Sequence, residues 1–319
     1  MKTVLDAYAQ TYTQAEEEVA ARYAVSAHQF YNLVTDFYEF GWGSSFHFAV
    51  RRPGETMRAS IARHQDFLGD KLGLRPEMTV IDLGCGVGGP LRHLARTTGA
   101  RVTGININAY QVEKVRRYNR AEGLDGQCSA VEGDFLHIPF PDASFDRAYA
   151  FEATCHAPDK PSVFGEAFRV LRPGGLFAVY EWCITPRYDH DNPEHRKVRF
   201  GIEKGNCLPT LATFAQVDRG LTASGFELIE SGDRASVCAP GLPWQSSLTE
   251  VSWRSLARTP AGRAVTNLVT GLLERVRVAP EGTQAVSSFL NDAADALVAG
   301  GDLGIFTPMY FALARKPER

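Results

Sequence analysis

The stretch VIDLGCGVGG, Val80 to Gly89, decides the fold. An apolar run ends in Asp82, and Gly84, Gly86, Gly88 and Gly89 lead from it into an amphipathic segment. Glycines there let the backbone turn sharply and approach a ligand at the carboxyl edge of a parallel sheet. Gly-x-Gly alone decides little, because dinucleotide-binding loops use it too. Asp82 argues against that use: a carboxylate before the loop would repel a diphosphate resting on the next helix N-terminus. An acid there suits a cationic or amino-bearing ligand.

Outward from this loop, short apolar runs alternate with amphipathic ones. TVIDLG, RVTGIN, CSAVEGD, FDRAYAF, LFAVYEW and FELIES are predicted strands. GGPLRHLARTTG, NAYQVEKVRRYNRAEG, KPSVFGEAFRVLRP and TLATFAQVDRGLTASG are predicted helices. This alternation predicts an α/β fold with a doubly wound, seven-stranded, mostly parallel sheet. GIFTPMYFALARK supplies the last strand.

Four regions follow: an N-terminal helical lid over 1–75, a core over 76–233, a helical insertion over 234–302, and the last strand and tail over 303–319. In the lid, one helix is expected over AEEEVAARYAVSAHQFYNLVTDFYE, before a Gly41-Trp42-Gly43 break, and a second ends near Gly73. In the insertion, residues 243–276 and 282–301 are expected to be helical. The charged, Pro-containing run YEWCITPRYDHDNPEHRK is expected to be a loop over the substrate side, with Asp189 and His195 solvated.

Composition narrows the function. A net charge of −3, with 44% hydrophobic and 22% charged residues, gives no basic excess for a nucleic-acid footprint. No run approaches the roughly 18 apolar residues of a membrane span, and MKTVLDAYAQTYTQAEEEVA lacks the pattern of a signal peptide. The six cysteines lie far apart without a Cys-x-x-Cys pair, so no metal site is expected. They read as reduced cytosolic thiols of a cytoplasmic protein.

The Val80–Gly89 stretch closely resembles motif I of the class I S-adenosylmethionine-dependent methyltransferases, and companion positions agree. That resemblance implies S-adenosyl-L-methionine as donor, with Asp82, Gly84, Cys85 and Gly86 around it. Asn106, at the end of the second strand, takes the place of an acid that binds ribose hydroxyls in most of the class; an amide still donates and accepts. Asn108 and Gln111 fall to the donor with it. Asp134 holds the place of the acid on the adenine amino group, with Phe135 beside the ring. LRPGG, Leu171 to Gly175, matches the turn before the fifth strand.

A closer resemblance runs from about residue 36 to the C-terminus. YEFGWGSSFHF, ASIARH, DLGCGVGGP, EATCHAP, YEWC, NPEHRK, APEG, LVAGG and FTPMYFALARKP together resemble the sterol 24-C-methyltransferase family. The resemblance implies that YEFGWGSSFHF belongs to a sterol-binding region and that EATCHAP lies beside the donor. Three departures stand out. Phe40 replaces a tyrosine, Ala109 stands where eukaryotic members often carry an acid, and GNCLPTL, Gly205 to Leu211, differs from the usual run.

The implied chemistry is transfer of a methyl group to the C24 side-chain alkene, with positive charge forming on the neighbouring carbon, then a hydride shift and proton loss. Such a site needs cation stabilisation, exclusion of water and one weak base. Eight aromatics fall between Phe30 and Phe48. About half belong to the core, and Tyr38, Trp42 and Phe46 are assigned to the pocket because Gly41 and Gly43 break the helix around them.

Candidate bases are Glu39, His47, Glu152 and His156; Glu152 can also face the donor. Glu203 is the candidate contact for a sterol hydroxyl. Cys155 is better read as a small buried thiol than as a nucleophile. Two alternatives stay open: methylation of another isoprenoid alkene, and a non-catalytic binder of sterol or donor. Expected partners are a lipophilic sterol or isoprenoid and no nucleic acid. Peripheral membrane contact and self-association stay open.

Overall fold

The computed structural model describes residues 1–12, 16–237, 242–249 and 259–318. Helices α1 (Lys2–Thr11), α2 (Glu16–Ala21), α3 (Tyr23–Trp42) and α4 (Met57–Leu72) precede the sheet. The core then alternates β1 (Thr79–Leu83), α5 (Gly89–Thr98), β2 (Arg101–Asn106), α6 (Ala109–Ala121), β3 (Cys128–Glu132), β4 (Phe145–Phe151), α7 (Lys160–Val170) and β5 (Leu171–Ile184). α8 (Pro193–Gly205), β6 (Ala212–Thr213), α9 (Phe214–Ala223) and β7 (Glu227–Asp233) follow. α10 (Ser246–Thr249), α11 (Pro260–Arg275) and α12 (Thr283–Asp302) lie between β7 and β8 (Phe306–Arg315).

The sheet order is β3-β2-β1-β4-β5-β8-β7, with β6 paired to β5. β1 to β5 run parallel, and β8 runs antiparallel to both β5 and β7. Seven of these strands match the expected ones. β6, only two residues beside Cys183 and Ile184, is too short to leave a pattern. Helices cover both faces: Leu68, Leu91 and Leu94 pack on one, Val163, Phe164 and Val217 on the other.

Local chemistry fixes several helix starts. Asn108, Asp159, Asn192, Thr213 and Thr259 each accept a first-turn N–H through the side chain. Two expectations are corrected. The run after β5 is not all loop, because Asn192 caps and Pro193 opens α8, whose Gly205 packs against Ala293 of α12. Gly41 does not break α3, which continues to Trp42; the stop is Gly43, at φ +77° with its N–H on the Glu39 carbonyl. The expected helix over 243–276 includes residues 250–258, which lie outside the described residues.

α1, α3 and α12 form a third apolar cluster around Tyr8, Phe30 and Val286. The Tyr8 hydroxyl donates to the Lys204 carbonyl at 2.5 Å, and Tyr12 donates to that of Leu208 at 3.0 Å. These bonds tie the N-terminal helices to the last turn of α8 and the chain just after it, across the carboxyl edge of the sheet.

Candidate active site

Two cavities meet at that edge. The first, about 610 Å³, lies between the loops after β1 to β4 and the start of α3. Two glycines allow close packing around it. Gly84 has φ +81°, and a Cβ there would stand 2.4 Å from the Ala153 Cβ. A Cβ on Gly89 would stand 2.1 Å from the Ser44 carbonyl oxygen, so residues 44–48 lie directly against the start of α5.

The polar wall of this cavity comes from four strand ends. Gly86 and Asn106 line it, and the Asn106 amide donates to the Gly86 carbonyl (3.3 Å) and to Gln111 Oε1 (2.7 Å). Gln111 also lines it and donates to Thr35 Oγ1 at 2.8 Å. Asp134 Oδ1 accepts the Leu136 N–H at 2.8 Å, and Oδ2 accepts the hydroxyl of Tyr23, whose ring stacks over Phe135 with centroids 6.4 Å apart. A carboxylate accepting hydrogen bonds, an aromatic face beside it and side-chain amides nearby fit an adenosine.

Three expected donor residues stand behind this wall. Asp82 is buried in β1, where it accepts the Tyr149 hydroxyl at 3.0 Å and burial pushes its carboxyl up to about 7. Cys85 turns back against Gly104, where an added Cβ would lie 2.5 Å from its Sγ. Asn108 caps α6 and donates to the His28 carbonyl and Asn32 Oδ1, which ties α3 to the end of β2. All three brace the cavity; none lines it.

The second cavity, about 940 Å³, is walled by the end of α3, residues 46–48, α11 and α12. Its lining includes Tyr38, Trp42, Phe46, Phe48 and Trp182. Trp42 meets Phe48 edge-on at 4.9 Å, and Tyr38 meets Phe46 the same way at 5.5 Å. Among the described residues, only Phe46 and Glu152 line both cavities.

Glu152 therefore occupies the junction. It follows β4 at φ +52°, a left-handed conformation that costs a non-glycine residue roughly 1–3 kcal/mol. Oε1 accepts the Phe48 N–H and Oε2 the Trp182 Nε1–H, both at 2.7 Å. Burial pushes the carboxyl up to about 8, and these two donors oppose that rise. The turn it opens is held from below. Lys160, itself buried, donates to the Thr154 carbonyl at 2.7 Å and to fully buried Glu181 at 3.0 Å, and the Thr154 hydroxyl also donates to Glu181.

The two histidines are neutral. His156 lines the first cavity; its Nδ1–H donates to the Cys207 carbonyl at 2.8 Å, and Nε2 accepts the Tyr31 hydroxyl at 2.9 Å. His47 lines the second; Nδ1–H donates to the Phe48 carbonyl at 2.7 Å, and Nε2 accepts from Gln65 at 2.8 Å. Burial pushes both down to about 4. Cys155 is buried, its thiol donates to the Glu152 carbonyl at 3.2 Å, and burial raises it well above the ordinary thiol range.

Two candidates lie elsewhere. Glu39 faces α6, where it accepts from Lys114 and from the Tyr118 hydroxyl at 2.7 Å; it lines neither cavity. Helical rotation sends it away from the face that carries Tyr38 and Trp42. Glu203 accepts from Arg199 Nε (2.7 Å) and the Leu211 N–H (2.8 Å), which pins the chain after α8 outside both walls. Asn206 lines the second cavity instead, beside Ser287 and Asn291 of α12. Nothing in the sequence pattern singled out Tyr23, Tyr31 or these α12 polar groups, although Tyr31 falls within the aromatic window.

The fold, the glycine loop and the first cavity define a class I S-adenosylmethionine-dependent methyltransferase. Residues 81–179 match the methyltransferase domain model and residues 253–318 the sterol methyltransferase C-terminal model. The chain is 48% identical over 305 residues to cycloartenol-C-24-methyltransferase of Arabidopsis thaliana, spanning 95% of this chain and 90% of that one. It is 47% identical to the sterol 24-C-methyltransferase of Eremothecium gossypii, over 97% and 85% of the two chains. A solved mycolic acid cyclopropane synthase, complexed with S-adenosyl-L-homocysteine and CTAB, shares the fold. Its TM-score is 0.70 at 17% identity, over 92% of this chain and 97% of that one.

The chain belongs to the sterol 24-C-methyltransferase family. Its methyl donor is S-adenosyl-L-methionine.

Proposed function

We propose that this enzyme adds a methyl group to C24 of a Δ24 sterol, with the donor in the first cavity and the sterol side chain in the second. The observation that carries the reading is the junction: one carboxyl, Glu152, and one ring, Phe46, face both cavities. When bound, the donor would supply an electrophilic methyl group to the alkene. Everything else falls to the chain. Trp42, Phe46, Phe48 and Trp182 offer ring faces to a developing cation, each contributing about 0.5–2 kcal/mol once desolvated. Residues 44–48 and α3 exclude water that would trap it.

Glu152 is the residue we assign to proton removal. Phe48 and Trp182 orient both its oxygens, and a carboxyl pushed up to about 8 is, in its ionised form, a stronger base than an ordinary carboxylate. In this reading His47 and His156 orient neighbours, because each ring nitrogen already has a partner. Asp134 and Phe135 bind the adenine, and Asn106 and Gln111 the ribose. Residues 1–75 act as the lid and 234–302 as part of the acceptor wall. A lipophilic acceptor brings the enzyme to a membrane surface; no described helix is long and apolar enough to cross one.

The test is direct. The purified protein is incubated with methyl-labelled S-adenosylmethionine and Δ24 sterols, squalene or prenyl diphosphates. Label at C24 of a sterol is the expected result. Label confined to squalene or diphosphates would favour another isoprenoid acceptor and end the sterol reading.

A further inference from the structure

Helix α11 is inside out. Its inward side is polar: Arg263 donates to Asp295 and to the Asn291 carbonyl, Asn267 Oδ1 accepts from Ser288, and Glu274 accepts the Gly282 and Gln284 N–H groups. Its outward side is aliphatic. Val265, Leu268, Val269, Leu272 and Val276 recur at three- and four-residue spacing and all are exposed, Leu268 by 72%. A surface helix of a globular protein in water has the opposite arrangement. Val278, just past the helix, is also 72% exposed. An aliphatic face of this extent marks a contact with something apolar.

The same helix roofs the acceptor cavity, since Arg263 and Thr266 line it from the inward side. Phe40, 72% exposed, lines that cavity as well. At the end of α11 stand Arg275 and Arg277, both exposed and without an ion pair among the described residues. Glu274, the acid beside them, is occupied in capping α12.

We propose that the outward face of α11 docks this protein on an anionic lipid bilayer, its aliphatic side chains in the acyl–headgroup boundary and Arg275 and Arg277 at the headgroups. The proposal rests on the reading of the second cavity as a site for a lipophilic acceptor, which would then pass from lipid into the cavity beneath the same helix. Charge favours lipid over a second copy of the chain. Phosphate headgroups complement Arg275 and Arg277, whereas a second copy of this helix offers them only Glu274, which already caps α12.

The test uses vesicles of phosphatidylcholine containing phosphatidylglycerol, co-sedimented with the full chain and with the double variant Leu268→Gln, Leu272→Gln. The wild type is expected to sediment with vesicles, and the variant to lose at least about tenfold in affinity. Unchanged methylation of a detergent-presented sterol shows that the variant is folded. A variant that binds vesicles as the wild type does would overturn the proposal. So would a wild type that ignores the vesicles, or a wild-type dimer that falls apart in the variant without any vesicle binding. Vesicle binding is read without turnover. A wild type that binds vesicles yet methylates no sterol would therefore strike the functional reading and leave the docking face standing.

Discussion

The two cavities are built by opposite means. The donor cavity takes its polar groups from four successive strand ends: Gly86, Asn106, Asp134 and Glu152. Backbone pairing in the sheet fixes their places. The acceptor cavity takes its wall from α3, α11, α12 and the crossing segment 46–48, and most of it is aromatic or aliphatic. Its titratable groups are few. His47 is neutral, Arg263 is paired with Asp295, and Glu152 is shared with the donor side. A donor needs hydrogen bonds in fixed directions, which strand ends supply. A passing cation needs ring faces and the absence of nucleophiles, which helix packing supplies.

The comparison breaks most sharply at the shared carboxyl. Glu152→Gln is expected to lower kcat by about 10²–10⁴-fold while donor affinity, measured by calorimetry, moves little. Equal losses of turnover and donor affinity would erase the distinction between the two sides. Its pH dependence sharpens the same point. With the carboxyl pushed up to about 8, kcat/KM of the wild type should rise as pH approaches and passes 8.

Next in size is Trp42→Leu on the acceptor side, expected to cost up to about thirtyfold in kcat through the lost ring face, with donor affinity intact. On the donor side, Asp134→Asn should weaken donor binding by about tenfold and leave the acceptor KM unchanged. A parallel change in both constants for either variant would merge the cavities into one unit. The smallest effect belongs to Glu39→Gln. It removes an ion pair with Lys114 at the largely buried α3–α6 contact, which should cost about 1–3 kcal/mol of stability and leave kcat unchanged.

Stability should separate the buried groups by sign. His47 and His156 are pushed down to about 4 by burial. The unfolded chain takes up their protons first, so stability should fall as pH drops from about 6.5 to 4. Asp82 and Glu152 are pushed up to about 7 and 8, so the folded chain keeps protons that the unfolded chain releases. They should lower stability as pH rises from about 4 to 8. Thermal midpoints across this range check both limbs, and Glu152→Gln should flatten the alkaline one. A flat acid limb would contradict the neutral histidines.

How much of this was legible in the sequence follows the same division. The glycine loop, Asp134 and seven of the strands could be read because each strand end carries its own signature beside a short turn, whereas the order of the strands is set by tertiary pairing. Tyr38, Trp42 and Phe46 could be read as pocket residues, although of Gly41 and Gly43 only Gly43 breaks the helix beside them. Glu39 could not be placed: one residue of rotation on α3 moves it from the cavity to Lys114, and sequence period does not say which neighbour a helix face meets. Glu203 was misread for a similar reason, since Arg199 one turn earlier claims its carboxyl. α8 was hidden because the acids and histidines before it read as loop, with Asn192-Pro193 the one overlooked signal. Tyr23 lies before the motifs and the α12 polar groups lie between APEG and LVAGG rather than within either, so only tertiary packing shows that they reach the cavities.

The central claim is that one carboxyl serves both cavities. It is tested by giving Glu152→Gln and wild type labelled donor and a Δ24 sterol, and following donor binding, sterol binding and methyl transfer separately. The account predicts that both ligands bind the variant with affinities within a few-fold of wild type, while transfer to C24 falls by about a hundredfold or more. Full methylation by the variant would contradict it.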